Sequence, residues 1–244
     1  MTGRTSTSRR LQFIIGATLL VSLWATPRAQ AEVTVEGTRV VFAADKREVG
    51  VRLKNEGERA SLVQAWVADE GDLQQTPEAS AAPFIIDRPL LRLDPGASHI
   101  LRVRGIGARL PTDNQEHLYW LNVVDVPPRQ AKASDNVVQL AVRFRMKLLY
   151  RPQGLGAPVN PNGQVSMAAA ADGLVLRNTA RYYFNLAGMT LVSASGERAV
   201  DAFYLAPGES RTLALPEGFA GPLTAVRYEW VDDDGALRAV TRSL

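Results

Sequence analysis

The chain has 244 residues, of which 46% are apolar and 22% charged, and it contains no cysteine. The absence of thiols excludes disulfides, thiolate zinc sites, iron–sulfur clusters and cysteine nucleophiles, so any fold must rest on packing. The net charge of +3 and sequence pI of about 9.4 owe much to residues 1–31, which hold four arginines and no acid.

Those 31 residues read as a leader. Arg4, Arg9 and Arg10 precede an apolar run from Leu11 to Trp24, and Ala29-Gln30-Ala31 forms an A-x-A cleavage pattern. Basic, apolar and small-residue regions in that order mark a secretory signal peptide. The run has 14 residues, short of the ~20 that a spanning helix needs. Cleavage before Glu32 leaves 213 residues, with 24 basic and 25 acidic side chains. That balance excludes a global basic field for nucleic acid. The length suits one large domain or two of roughly 100 residues.

From Glu32 onward the pattern is that of strands. Val33-Thr34-Val35, Arg39 to Phe42, Glu48 to Lys54, Ser61 to Ala68 and Ser98 to Val103 alternate apolar and polar residues. Asn55-Glu56-Gly57-Glu58, Glu70-Gly71-Asp72 and Asp94-Pro95-Gly96-Ala97 supply turns between them. The segment Ala79 to Leu93 is broken by Pro83 and Pro89 and reads as extended or looped. Residues 151–158 are rich in proline and glycine and read as a linker. A second set of strands follows: Leu174 to Asn178, Tyr182 to Leu186, Met189 to Ser193, Ala202 to Leu205, Arg211 to Leu215 and Thr224 to Val231. No long amphipathic helix is evident. The expected fold is all-β, two immunoglobulin-like sandwiches. Asp94-Pro95-Gly96 and Ala206-Pro207-Gly208 each precede a strand, a hint of repeated topology.

One strand differs from the rest. In residues 137–150 the even positions Val138, Leu140, Val142, Phe144, Met146, Leu148 and Tyr150 are all apolar, while Gln139, Arg143, Arg145 and Lys147 take odd positions. Side chains of a strand alternate between faces, so one face is apolar throughout. Most strands have ~5–6 residues. One sandwich does not easily cover both ends of so long a strand, and a long apolar edge is a template for another chain.

Several segments in this order resemble the periplasmic chaperones of the chaperone–usher pilus pathway. They are Thr38-Arg39-Val40-Val41-Phe42, Gln64-Ala65-Trp66, Leu91 to Gly96, Leu110 to Glu116 with Leu118 to Asn122 and Val126-Pro127-Pro128, Lys147 to Pro152, and Asn178-Thr179 with Tyr182-Tyr183. Two local departures stand out. Asp113 and Glu116 are separated by two residues where the pattern has one, and His117 replaces a small hydroxyl residue.

The resemblance implies two sandwiches in an L-shaped arrangement, residues 32–150 and 151–244, acting in the periplasm. It implies that Arg39 and Lys147 grip the C-terminal carboxylate of a pilin subunit. Val138, Leu140 and Val142 would be the strand residues lent to it, with Phe144 and Met146 on the same face, split between core and subunit contact. Glu116, Arg151 and Asp233 would form an ion network between the sandwiches, with Asp232 or Asp234 as alternatives to Asp233. The partners implied are pilin subunits and an outer-membrane usher. The short stretch from Pro128 to Val137 and the missing cysteines point to the short-loop branch. Whether the subunit-free protein caps its edge by self-association stays open.

Other readings are weaker. An adhesion or receptor module would bind through loop tips. Catalysis has poor raw material, since His99 and His117 are the only histidines. No glycine-rich phosphate loop is present, so neither ATP nor any other cofactor or metal is expected.

Overall fold

The computed structural model describes residues 32–71, 76–128, 140–170, 173–215, 219 and 222–244. The expected leader and Val138 lie outside them. Seventeen strands run through the described residues. The first nine are β1 (Val33–Val35), β2 (Arg39–Ala43), β3 (Glu48–Asn55), β4 (Ser61–Asp69), β5 (Phe84–Asp87), β6 (Leu90–Leu93), β7 (Ser98–Gly105), β8 (His117–Val126) and β9 (Val142–Arg151). They form a four-stranded sheet, β1-β3-β7-β5, and a five-stranded sheet, β2-β9-β8-β4-β6.

Alternation builds the core between these sheets. On β3, Val51 and Leu53 point in while Arg52 and Lys54 point out; on β7, Leu101 and Val103 point in. Phe42 meets Phe84 edge-on at 5.4 Å and Tyr150 at 6.0 Å, joining the two sheets. Burying each such side chain contributes roughly 1.5–3 kcal/mol.

The proline-broken segment Ala79 to Leu93 is not irregular throughout. It forms β5 on one sheet and β6 on the other, and the chain crosses between them at Arg88, whose φ is +57°, and Pro89. Proline ends the first pairing because it has no N–H to donate.

The remaining strands are β10 (Val165–Ala170), β11 (Gly173–Asn178), β12 (Phe184–Ser193), β13 (Gly196–Val200), β14 (Phe203–Leu205), β15 (Ser210–Ala214), β16 (Leu223–Val231) and β17 (Leu237–Ser243). They give a three-stranded sheet, β10-β11-β15, packed against β13-β12-β16-β17 with β14 also on β12. Two strands expected on either side of residue 187 are a single strand, β12, whose register against β16 shifts between Leu186 and Gly188. A bulge at a glycine lets one ladder continue through what reads as a break. No ladder joins strands that end by Arg151 to strands that start at Val165, yet Glu32–Leu244 cluster as one compact unit.

The hint of repetition has a structural counterpart. Asn55 and Asn178 are both fully buried at strand ends. Asn55 Nδ2 donates to Leu93 O (2.9 Å) and Arg59 O (2.7 Å), while Gly57 N donates to its Oδ1 (2.9 Å). Asn178 Nδ2 donates to Leu205 O (3.1 Å) and Tyr182 O (2.8 Å), while Ala180 N donates to its Oδ1 (3.0 Å). Each asparagine closes its own turn and ties the loop preceding a Pro-Gly turn. Gly96 (φ +68°) and Gly208 (φ +74°) occupy the left-handed position in those turns.

Candidate functional site

The site is built on β9. Its lower half, Lys147–Arg151, pairs in parallel with Arg39–Ala43 of β2, and Val142–Tyr150 pair with β8. From Val142 to Met146, β8 is the one ladder partner among the described residues. Among the described residues β9 is therefore an interior strand at one end and an edge at the other, and the change falls at the pair Arg39–Lys147.

The apolar face follows the same gradient. Leu140 is 69% exposed, Val142 and Phe144 are half-buried, and Leu148 is fully buried. Phe144 packs on the rim of the core, and Met146, 6% exposed, belongs to that core. Met146 is thus covered in the free protein, while Phe144 stays partly open. The strand begins at Val142; Leu140 and Ala141 precede it without ladder pairing.

Arg39 and Lys147 stand side by side, and both are partly withdrawn from water. Lys147 Nζ donates to Asn185 Oδ1 and lies 4.6 Å from the Tyr204 ring centroid. Burial, then repulsion from Arg39, pulls its ammonium down to about 8, against the opposing charge of Glu70. Arg39 NH1 donates to Val231 O at 3.2 Å, while its Nε is buried with no acceptor. Burial lowers its pKa too, against the pull of Asp233, Asp232 and Glu116. The two side chains line adjoining hollows: Arg39 with Tyr182, Asn185 and Asp233, Lys147 with Trp120, Tyr204 and Arg211. Two neighbouring, desolvated cations are stabilised by an anion that accepts from both.

Arg151 lies four residues along the same strand. Its Nε donates to Glu116 Oε1 (2.7 Å), and its two terminal nitrogens grip Asp233 (2.8 and 2.6 Å). Glu116 Oε2 accepts from Tyr183 N (2.8 Å), and Glu116 N donates to Arg181 O (2.8 Å). Burial raises the Glu116 pKa against the pull of Arg151; burial likewise opposes the Arg151 charge, but Asp233 and Glu116 outweigh it. Asp232 instead caps its own turn, accepting from Ala236 N (2.9 Å) and Arg238 Nε (2.8 Å). Asp234 is exposed. In the loop before β8, Asp113 Oδ1 lies 2.7 Å from His117 Nε2.

Sequence reasoning missed Asn185, Tyr204 and Glu70. Asn185 and Tyr204 are register partners on β12 and β14, and Glu70 accepts from Tyr183 Oη at 2.8 Å. None has a local signature, since their roles come from a surface that another sandwich completes.

Comparison with known proteins identifies the family. Residues 32–156 match the family described as "Pili and flagellar-assembly chaperone, PapD N-terminal domain". Residues 161–241 match "Pili assembly chaperone PapD, C-terminal domain". The chain belongs to the pilus assembly chaperones.

Among curated relatives, chaperone protein FimB/FhaD of Bordetella pertussis is 35% identical over 230 residues, covering 91% of each chain. Chaperone protein MrkB of Klebsiella pneumoniae is 33% identical over 189 residues, 75% of this chain and 79% of its own. Among solved structures, the Pseudomonas aeruginosa CupB2 chaperone is 31% identical with a TM-score of 0.72, covering 86% of this chain and all of its own. Membership makes this chaperone an assembly factor of two β-sandwich domains and not an enzyme. Among its described residues no helix is long and apolar enough to cross a membrane.

Proposed function

We propose that this chaperone holds a pilus subunit by donor-strand complementation: the subunit's last strand adds to the open edge of β9. The observation that carries this is the edge change at Arg39–Lys147. A strand laid beside residues 142–146 meets the start of β2 end to end, so its terminus falls at Arg39 and Lys147. A chain end there presents a carboxylate to two partly desolvated cations. Running back from that end, the added strand lies parallel to β9. Leu140 and Val142 then point into the groove of an incomplete subunit fold, where burial contributes roughly 1.5–3 kcal/mol per large side chain; Val138, outside the described residues, is the third position expected to be lent.

In this reading residues 1–31 are a leader, residues 32–150 and 151–244 are the two domains, and the protein works in the periplasm. Glu116, Arg151 and Asp233 fix the domains against each other. The subunit leaves by strand exchange at an outer-membrane usher, without ATP.

The test is capture of a pilus subunit by purified chaperone variants. Arg39→Ala and the pair Leu140→Asp/Val142→Asp are expected to lose capture at least ten-fold with an unchanged circular dichroism spectrum. Normal capture by either folded variant sinks the reading. Leu148→Asp, at a fully buried position, is expected to unfold the first sandwich instead.

A further inference from the structure

The first strand carries a buried polar contact that is half complete. β1 pairs with β3 over Val33 to Val35, at the edge of the four-stranded sheet. A second contact crosses to the five-stranded sheet, where Val33 N donates to Asp125 Oδ2 on β8 at 3.2 Å. Val33 is fully buried and Asp125 is 3% exposed. The other carboxylate oxygen, Asp125 Oδ1, is buried with no hydrogen-bond partner. Its ladder neighbours, Val63 on β4 and Val142 on β9, bring no charge. A buried carboxylate with one oxygen open is costly until a donor reaches it.

Glu32 stands immediately before this contact. Glu56 N donates to its carbonyl oxygen at 2.7 Å, and Arg59 Nε donates to its side chain at 3.0 Å. Neither anchor uses its backbone nitrogen. Backbone nitrogens of successive residues are at most ~3.7 Å apart, which places the nitrogen of Glu32 within about 7 Å of Asp125 Oδ2.

We propose that leader removal completes this site: the α-ammonium released at Glu32 pairs with the buried carboxylate of Asp125, locking the first strand onto the opposite sheet in the cleaved chain alone. The proposal rests on the reading of residues 1–31 as a leader cut before Glu32. Hydrolysis of the Ala31–Glu32 bond consumes one water and leaves a carboxylate on Ala31 and an ammonium on Glu32. A neutral amide with one N–H becomes a cation with three, and an α-amine, ordinarily of pKa ~7.7–8.0, is mostly protonated at neutral pH. Rotation about the Cα–C bond of Glu32 carries that group toward Oδ1 while the carbonyl keeps its bond to Glu56. A charge-assisted contact then satisfies the oxygen that Val33 leaves open. Without the ammonium the carboxylate stays buried and half satisfied.

The test secretes the complete chain with its own leader, beside a version with Gly-Ser inserted between Ala31 and Glu32, and reads each first residue by N-terminal sequencing. Two measurements follow. The α-amine is acylated at neutral pH and the N-terminal peptide is followed by mass spectrometry, in the folded protein and in urea. In the chain that begins at Glu32 the folded amine is expected to react about ten-fold slower than in urea or more, and Asp125→Asn is expected to abolish that protection. The Gly-Ser extension is expected to raise the equilibrium constant for unfolding about ten-fold in the wild-type background and to change it little beside Asp125→Asn. An extension that costs the same in both backgrounds overturns the proposal. So does a folded wild-type amine that reacts as fast as in urea, a comparison that needs no variant to fold. A secreted chain that begins at another residue overturns the leader boundary and this pairing together, whereas a chain that begins at Glu32 with a freely reactive amine overturns the pairing alone.

Discussion

At Asn55 and Asn178 a single buried amide satisfies several backbone groups that no ladder reaches. Removing one leaves carbonyls of a turn orphaned in the core, each costing ~1–3 kcal/mol. Asn178→Ala is expected to destabilise the protein by about 2–3 kcal/mol in urea unfolding, with Asn55→Ala comparable in the other sandwich.

Lys147 makes a second prediction at the residue scale. In the free chaperone its pKa is pulled down to about 8, by burial and then by Arg39, with Glu70 opposing. A lowered lysine pKa means that folding disfavours the ammonium. This group therefore costs stability below its folded value, and stability recovers as pH rises from about 8 toward the ordinary lysine value of 10.5. In the proposed complex binding has the opposite sign, because a carboxylate held by Lys147 needs the ammonium. Subunit affinity is expected to fall above pH 8, and Lys147→Arg is expected to flatten that fall. Titration calorimetry between pH 6.5 and 9.5 with both proteins checks it.

At the scale of elements, the turn between β16 and β17 decides how Arg39 is held. Val231 O accepts from Arg39, Asp233 binds Arg151, and Gly235 (φ +83°) packs against Thr38, where an added Cβ would overlap the threonine hydroxyl. The turn touches β2 and the end of β9 together. Gly235→Ala is expected to push it away, weakening subunit binding several-fold while each sandwich keeps its own fold. Normal affinity in that variant would show that the turn does not position the clamp. The two halves of β9 show the same dependence on neighbours: one apolar alternation runs along it, yet Leu140 is exposed and Leu148 is not.

Across the whole molecule, the buried fork of Arg151 joins the two sandwiches, with side chains 6% and 1% exposed at Arg151 and Glu116. Such a pair is poor evidence for net stability, because desolvation offsets the attraction, but breaking one partner strands the other. Arg151→Ala is expected to cost about 3–5 kcal/mol by leaving Glu116 charged and buried. Arg151→Met/Glu116→Met is expected to cost less, and both are measurable by denaturant unfolding of the complete chain.

Alternation with a period of two exposed the strands, their inward faces and the unusual length of apolar pattern in β9, because strand geometry is local. The order of motifs carried the family, and with it Arg39, Lys147, Glu116 and Arg151 as the residues to watch. Local pattern could not show that β12 runs through its glycine or that the chain switches sheets at Arg88-Pro89; both depend on the partner strand. Nor could it show where the apolar face of β9 leaves the core. The same alternation serves a buried strand and an open edge, and only the end of β2 at Arg39 separates them. A strand's pattern is written in its own residues, but whether that strand is available to another chain is settled by what packs beside it.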